Sequence, residues 1–309
     1  MAEIVKTTES YITKMRQNDK IQLVDLVDMS EPFSVLEEVK NNFIYHYHIG
    51  EFLVIRQVFR DFIDLMEGRY PGYQKCNTKF HDIQHATDAF LAMSRLIDGY
   101  NIKNYRRKFS VENVKVALIA ALYHDVGYVQ KVEETQGTGA KYTIEHVDRS
   151  IEFIKNYLSK NSFSQRDIQK AVNMISCTEI RKDVNKIKFS DNEEKTLGFM
   201  LATADYLGQM SSRNYLEKLV FLYYEFKEGG VTGYSSEYDL VKKTKDFYLS
   251  VRKELDTVYE KVYKYATYHF KKRYKINENL YLTAINRAME YLQTITSPEE
   301  MQAKLRRKV

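Results

Sequence analysis

The sequence predicts an all-α fold. Three prolines and twelve glycines among 309 residues leave long segments without a breaker. Apolar residues recur at three- and four-residue steps over most of the chain, the period of a helix with one buried face. A composition of 44% hydrophobic and 29% charged residues is that of an ordinary globular protein, and the length is ample for a buried core.

Taken in order, the first clear helix runs over about 51–66, where Phe52, Ile55, Phe59, Ile63 and Met66 form a stripe. The next covers about 79–98, with Ile83, Ala86, Phe90, Met93 and Ile97. Ser110 is a suitable N-cap for a third, which carries Glu112 in its first turn, runs through VALIAALY to His124 and stops at Gly127. Further helices are expected over about 144–159, 165–177, 193–210, 213–227, 237–265 and 277–296. Ser297-Pro298-Glu299-Glu300 starts a last short one, with Ser as cap, Pro first and Glu three residues after the cap. Residues 133–141, 181–192 and 228–236 are loops, none long enough for a domain linker. One all-helical domain over 1–309 is therefore expected.

The formal charge of +5 is a mild bias. The basic stretches Lys103 to Lys108, Lys271 to Lys275 and Arg306-Arg307-Lys308 read as solvated faces, so nucleic acid is not the expected partner. Cys76 and Cys177 have no metal-type spacing and read as free thiols of a reducing compartment. The N-terminus MAEIVKTTES has no apolar core of a signal peptide, and no apolar run is long enough to span a bilayer. A cytoplasmic protein with no membrane partner is expected; a homodimer is compatible with the sequence.

The chemistry concentrates in three segments. His81 and His85, in FHDIQHATDAF, are four apart and would share one face of a helix, with Asp88 a turn further on. Two histidines on a helix are more often structural than catalytic. His124-Asp125 ends an apolar helix, where a buried carboxylate needs an ion pair, a cap or a metal. Asp205, flanked by Leu201, Ala202 and Ala204, has the same need for a cation. His146 opens an amphipathic helix beside its apolar face, and a satisfied half-buried imidazole is a fair account of it. For His46, His48 and His269 a structural role is preferred outright. Lys79, Lys131, Arg149 and Gln209 lie near these residues in sequence and rank low as contacts for a ligand's phosphate or base, since charged residues near a pocket are usually solvated.

In the order His85, His124-Asp125, Asp205 the chain resembles the HD-domain metal-dependent phosphohydrolases, and within them the catalytic domain of the cyclic nucleotide phosphodiesterases. FHDIQHATDAF is similar to that branch's YHNxxHAxDV, ALYHDVGY to its AxxHDxDH, AVNMISCTEI to a helix ending in ATDMS, ATADYLGQM to its last Asp helix, and YYEFKEGG loosely to EFxxQGD. The likeness covers roughly residues 75–230. It implies a helical bundle with an HD core over about 50–230, additional N- and C-terminal helices, and a C-terminal extension over about 237–309.

The resemblance implies His85, His124, Asp125 and Asp205 as metal ligands, Asp125 bridging to a second ion, and His146 beside that second site. It makes His81 the acid that protonates the leaving oxygen, with Asp88 and Thr178 behind the ligands. The cofactor would be one or two divalent ions among Mn, Fe, Co, Ni, Zn and Mg. The implied activity is hydrolysis of a phosphoester, of a nucleotide or cyclic nucleotide, by a metal-activated water. Asp82 and Tyr128 depart from the pattern, where the phosphodiesterases carry Asn and His, and Ser176-Cys177-Thr178 replaces histidines common in two-metal members. These departures support an alternative: a catalytically degenerate HD domain that binds metal or nucleotide as a sensor or interaction module. An iron oxygenase on the same scaffold would need more histidines than the chain supplies.

Overall fold

A computed structural model describes residues 21–179 and 183–305 of the chain. The fold is all-helical: among the described residues there are twelve α-helices and no β-strand, only two isolated bridges. In chain order the helices are α1 (Pro32–Ile44), α2 (Leu53–Met66), α3 (Ile83–Lys103), α4 (Val111–Tyr123), α5 (His146–Lys160), α6 (Gln165–Ser176), α7 (Asn192–Ser211), α8 (Tyr215–Glu228), α9 (Glu237–Thr257), α10 (Tyr265–Tyr274), α11 (Leu280–Leu292) and α12 (Pro298–Leu305). Among the described residues no helix is long and apolar enough to cross a membrane. The terminal basic run Arg306 to Lys308 and the first twenty residues lie outside the described part.

Helix α3 is the axis of the bundle. Every residue from His85 to Gly99 is buried, and the helix packs against α1, α4, α7 and α10. Small residues allow this close packing. A Cβ on Gly99 would lie 1.9 Å from the Tyr265 carbonyl oxygen of α10, and one on Gly208 would lie 2.8 Å from the Ala89 nitrogen across the α7 contact. The C-terminal helices thus complete the core: α10 covers α3 and α11 covers α7. Buried apolar side chains from Leu23 to Leu305 form one contiguous cluster.

The caps follow the sequence signals. Ser110 Oγ accepts from Asn113 N at 3.4 Å, and Ser297 Oγ accepts from Glu300 N at 3.2 Å. One expected helix is divided. Residues 237–265 do not run unbroken, because Glu260 and Lys261 take left-handed backbone angles (φ 50° and 59°) before a 3-10 turn leads into α10. The break turns Tyr259 and Val262 both inward, and the Tyr259 hydroxyl donates to the Cys177 carbonyl at 3.3 Å. Neither Glu nor Lys signals this conformation, which usually calls for Gly or Asn.

The histidines read as structural behave so. His48 Nδ1 accepts from Gly50 N at 3.1 Å and caps a 3-10 turn. His46 and His269 both bond Asp98 of α3, at 2.9 and 2.7 Å, and Arg273 Nε donates to the same carboxylate at 3.2 Å. Burial alone would push the Asp98 carboxyl up, but His269, His46 and Arg273 outweigh it and hold the group far below the usual carboxylate range. A depressed folded-state pKa adds stability that is present above the unfolded value of about 4 and lost as the pH falls below it. We predict that Asp98→Asn lowers unfolding free energy by about 3–5 kcal/mol at pH 7, as breaking a buried pair does. Urea melts at pH 7 and pH 3 check this: the gap between wild type and variant should narrow in acid.

Candidate metal centre

Four helices deliver the polar groups to one point. Asp82 caps α3, its Oδ1 accepting from His85 N at 2.9 Å, while Lys218 of α8 reaches its Oδ2 at 2.7 Å. The cap fixes the first turn of α3 and so the direction of His85. His124 is the C-cap of α4, and its Nδ1 lies 2.9 Å from the Ala121 carbonyl, which can only accept. The Nδ1 proton is thereby placed, so Nε2 is the atom able to offer a lone pair to a cation. Asp125 leaves the helix with φ −113° and ψ 8°, which turns its carboxylate back toward His85. Asp205 comes from the middle of α7, with Gln209 Nε2 donating to its Oδ1 at 3.3 Å.

The resulting cluster is tight. His85 Nε2 stands 2.9 Å from Asp125 Oδ2 and 3.3 Å from Asp205 Oδ1. His124 Nε2 stands 3.4 and 3.6 Å from the same two oxygens. His85, His124 and Asp125 each present a ligand atom within 4.8 Å of the others. Both Nε2 atoms are buried and neither has a hydrogen-bond partner of adequate geometry. Around an ion with bonds of about 2.1 Å, neighbouring ligand atoms sit about 3.0–3.4 Å apart. The donor set of two imidazoles and two carboxylates therefore fits a divalent metal in spacing and in chemistry.

Burial opposes charge on His85, but the nearby carboxylates of Asp125 and Asp205 prevail and raise its pKa to about 10. Burial likewise opposes charge on Asp125 and Asp205, and the facing imidazoles hold both well below the usual carboxylate range. Two partly buried carboxylates side by side need positive charge, which the facing imidazoles or a cation can supply.

A second layer adjoins the first. His146 opens α5, its Nδ1 2.7 Å from the Thr143 carbonyl and its Nε2 3.5 Å from Asp125 Oδ1. His81 does not share a helix with His85, because the chain bends there and α3 begins only at Ile83. The bend still brings the two rings within 5.4 Å. His81 Nδ1 lies 2.7 Å from Glu225 Oε2 of α8, and Glu225 Oε1 accepts from the backbone N–H groups of Lys79 and Phe80, both at 2.7 Å. Burial raises the Glu225 pKa, but His81 and the two N–H groups lower it further, so the carboxylate is ionised and His81 must donate from Nδ1. Sequence reasoning noted the YYEFKEGG segment and missed Glu225 itself. The available signal was a carboxylate within an aromatic helix.

Other candidates are used elsewhere. Arg149 donates to the Gly127 and Val129 carbonyls and to Glu134, so its guanidinium is engaged by protein and not free for phosphate. Lys79 lies over the Phe221 ring and Lys131 pairs loosely with Glu152. The Thr178 hydroxyl donates to the Ile175 carbonyl at 2.9 Å. Asp88 is buried, burial pushes its carboxyl up to about 8, its Oδ1 has no hydrogen-bond partner, and no hydrogen bond joins it to His85 among the described residues. Gly127 marks a close approach: a Cβ there would lie 1.9 Å from the His146 carbonyl oxygen. Gly127→Ala should displace the start of α5 and destabilise the fold by about 1–3 kcal/mol, the range of overpacking, which a thermal melt would register.

No curated protein and no solved structure matches the chain. A family model described as Npun_R2479-like matches residues 71–269, a span that holds every residue of this centre from His81 to Glu225. The chain belongs to the Npun_R2479-like family.

Proposed function

We propose that the protein is a metal-dependent phosphohydrolase of the HD type, acting on a phosphoester of a nucleotide or cyclic nucleotide. The observation that carries this reading is the convergence of two orphaned, buried imidazole nitrogens on two carboxylate oxygens, with the His81–Glu225 pair beside them. His85, His124, Asp125 and Asp205 would hold the first ion, and His146 with the free oxygen of Asp125 faces a second position. A bound divalent ion supplies a water of lowered pKa and neutralises phosphate charge.

The chain's own residues do the rest. Glu225 holds the Nδ1 proton of His81, which leaves Nε2 as the atom that carries the transferable proton. As water oxygen bonds to phosphorus and the ester P–O bond breaks, the departing alkoxide takes that proton from Nε2. Gln209 and Asp82 keep Asp205 and His85 in place.

The Asp125 and Asp205 carboxylates raise the His85 pKa, so metal entry is expected to displace a proton. Metal affinity is expected to rise with pH between about 6 and 8, by up to about tenfold per unit for each proton displaced. Competition with a chromogenic chelator across that range measures it, and affinity independent of pH would contradict it. The function is tested by assaying bis-p-nitrophenyl phosphate and 3′,5′-cyclic nucleotides with Mn²⁺ or Mg²⁺. Turnover that EDTA abolishes is expected. Bound metal without turnover on any of these would instead mark a degenerate sensor or interaction module.

A further inference from the structure

The residue after the His-Asp turn, Tyr128, lays its ring against two imidazoles, whose own centroids are 6.3 Å apart, so both lie on one side of it. Its ring stacks on His81 at 4.3 Å between centroids and 13° between planes, and on His146 at 4.6 Å and 19°. The side chain is 1% exposed. Burial pushes the phenol's pKa well up.

The surrounding backbone is shaped to hold this ring. Arg149 Nε and Nη2 donate to the carbonyls of Gly127 and Val129, the residues on either side of Tyr128, at 2.8 and 3.2 Å. A Cβ on Gly139 would lie 1.9 Å from the Tyr128 carbonyl oxygen, and one on Gly127 would lie 1.9 Å from the His146 carbonyl oxygen. Two close backbone approaches and a guanidinium fix one aromatic ring. An imidazole held at Nδ1 alone can still swing about its χ2 axis. A ring stacked on its face removes that freedom.

We propose that Tyr128 is a positioning residue, which holds the His81 imidazole plane so that Nε2 faces the leaving oxygen of the substrate. The role belongs to the ring face and not to the hydroxyl. It rests on the phosphohydrolase reading of the centre. Its effect should be confined to the step in which the P–O bond breaks and the alkoxide takes the Nε2 proton, so it should depend on how much the leaving group needs that proton.

The test compares the unaltered protein with Tyr128→Phe and Tyr128→Leu on two substrates. A cyclic nucleotide leaves as an alkoxide and needs a proton; bis-p-nitrophenyl phosphate leaves as p-nitrophenolate and scarcely does. Tyr128→Leu should lose at least about tenfold in kcat on the cyclic nucleotide, part of the roughly 10²–10⁴ that a general acid contributes, and keep its rate on the nitrophenyl ester. Tyr128→Phe should retain both. Equal losses on the two substrates would show a merely structural role and overturn the proposal. A second measurement does not depend on the variants folding. In the unaltered protein the imidazole carbon-bound protons of His81 and His146 should resonate upfield in NMR spectra, because both rings lie over the Tyr128 face. Unshifted protons would overturn the clamp. Shifted protons in a protein that hydrolyses neither substrate would overturn the phosphohydrolase reading and the positioning role with it, while the clamp itself stands.

Discussion

Asp125→Ala is expected to remove metal binding and hydrolysis together. Asp125 faces three imidazoles, with Oδ2 at 2.9 Å from His85 and 3.4 Å from His124, and Oδ1 at 3.5 Å from His146. Its loss leaves His85 and His124 buried with half their compensating charge. Disturbing a group that only orients a ligand costs about 10–100-fold in metal affinity, so loss of a ligand that serves both positions should exceed this range. Isothermal titration with Mn²⁺ and the cyclic nucleotide assay should both fall to background, while circular dichroism stays helical. Asp205→Ala should follow the same course at the first position alone. Retained affinity in either variant would place the metal elsewhere.

His81→Ala is expected to separate the two properties. His81 Nε2 is not among the atoms facing Asp125 and Asp205, and its other nitrogen is held by Glu225. Metal affinity should therefore stay within a few-fold of the unaltered protein, while kcat on an alkoxide-leaving substrate drops by about 10²–10⁴. Glu225→Gln should produce a smaller loss in the same direction, because a neutral amide no longer fixes the Nδ1 proton. A His81→Ala variant as active as the parent on cyclic nucleotides would remove His81 from the mechanism.

Much of the architecture was legible in the sequence because it depends on local signals. Ser110 and Ser297 cap where the spacing predicts, and the stripe of Phe52, Ile55, Phe59 and Ile63 faces the core of α2. What was not legible depends on tertiary packing. The left-handed turn at Glu260 and Lys261 is imposed by the burial of Tyr259 and Val262, which no residue type there announces. The bend that takes His81 off the helix follows from Asp82 acting as a cap, and a single Asp before an apolar run is ambiguous between cap and first turn. Gly127 reads as a helix stop in sequence; its close contact with the His146 carbonyl becomes visible only when α5 is in place.

That His85, His124-Asp125 and Asp205 come together is consistent with the sequence, where Asp125 and Asp205 interrupt apolar runs. Glu225 was not legible, since it lies about 140 residues from its partner, as the separation of 144 between Glu225 and His81 shows. Tyr128 read as a departure from a family pattern, and its stacking against the His81 and His146 rings gives that departure a physical content.

The central claim is that the cluster at the end of α4 holds a divalent metal. Elemental analysis of the purified protein by inductively coupled plasma mass spectrometry tests it most directly, on the unaltered chain and on Asp125→Ala and Asp205→Ala. At least one divalent ion per chain in the parent, lost in both variants, is the predicted result. A parent that stays metal-free after incubation with Mn²⁺, Zn²⁺ and Mg²⁺, or variants that keep the parent's metal content, would contradict it.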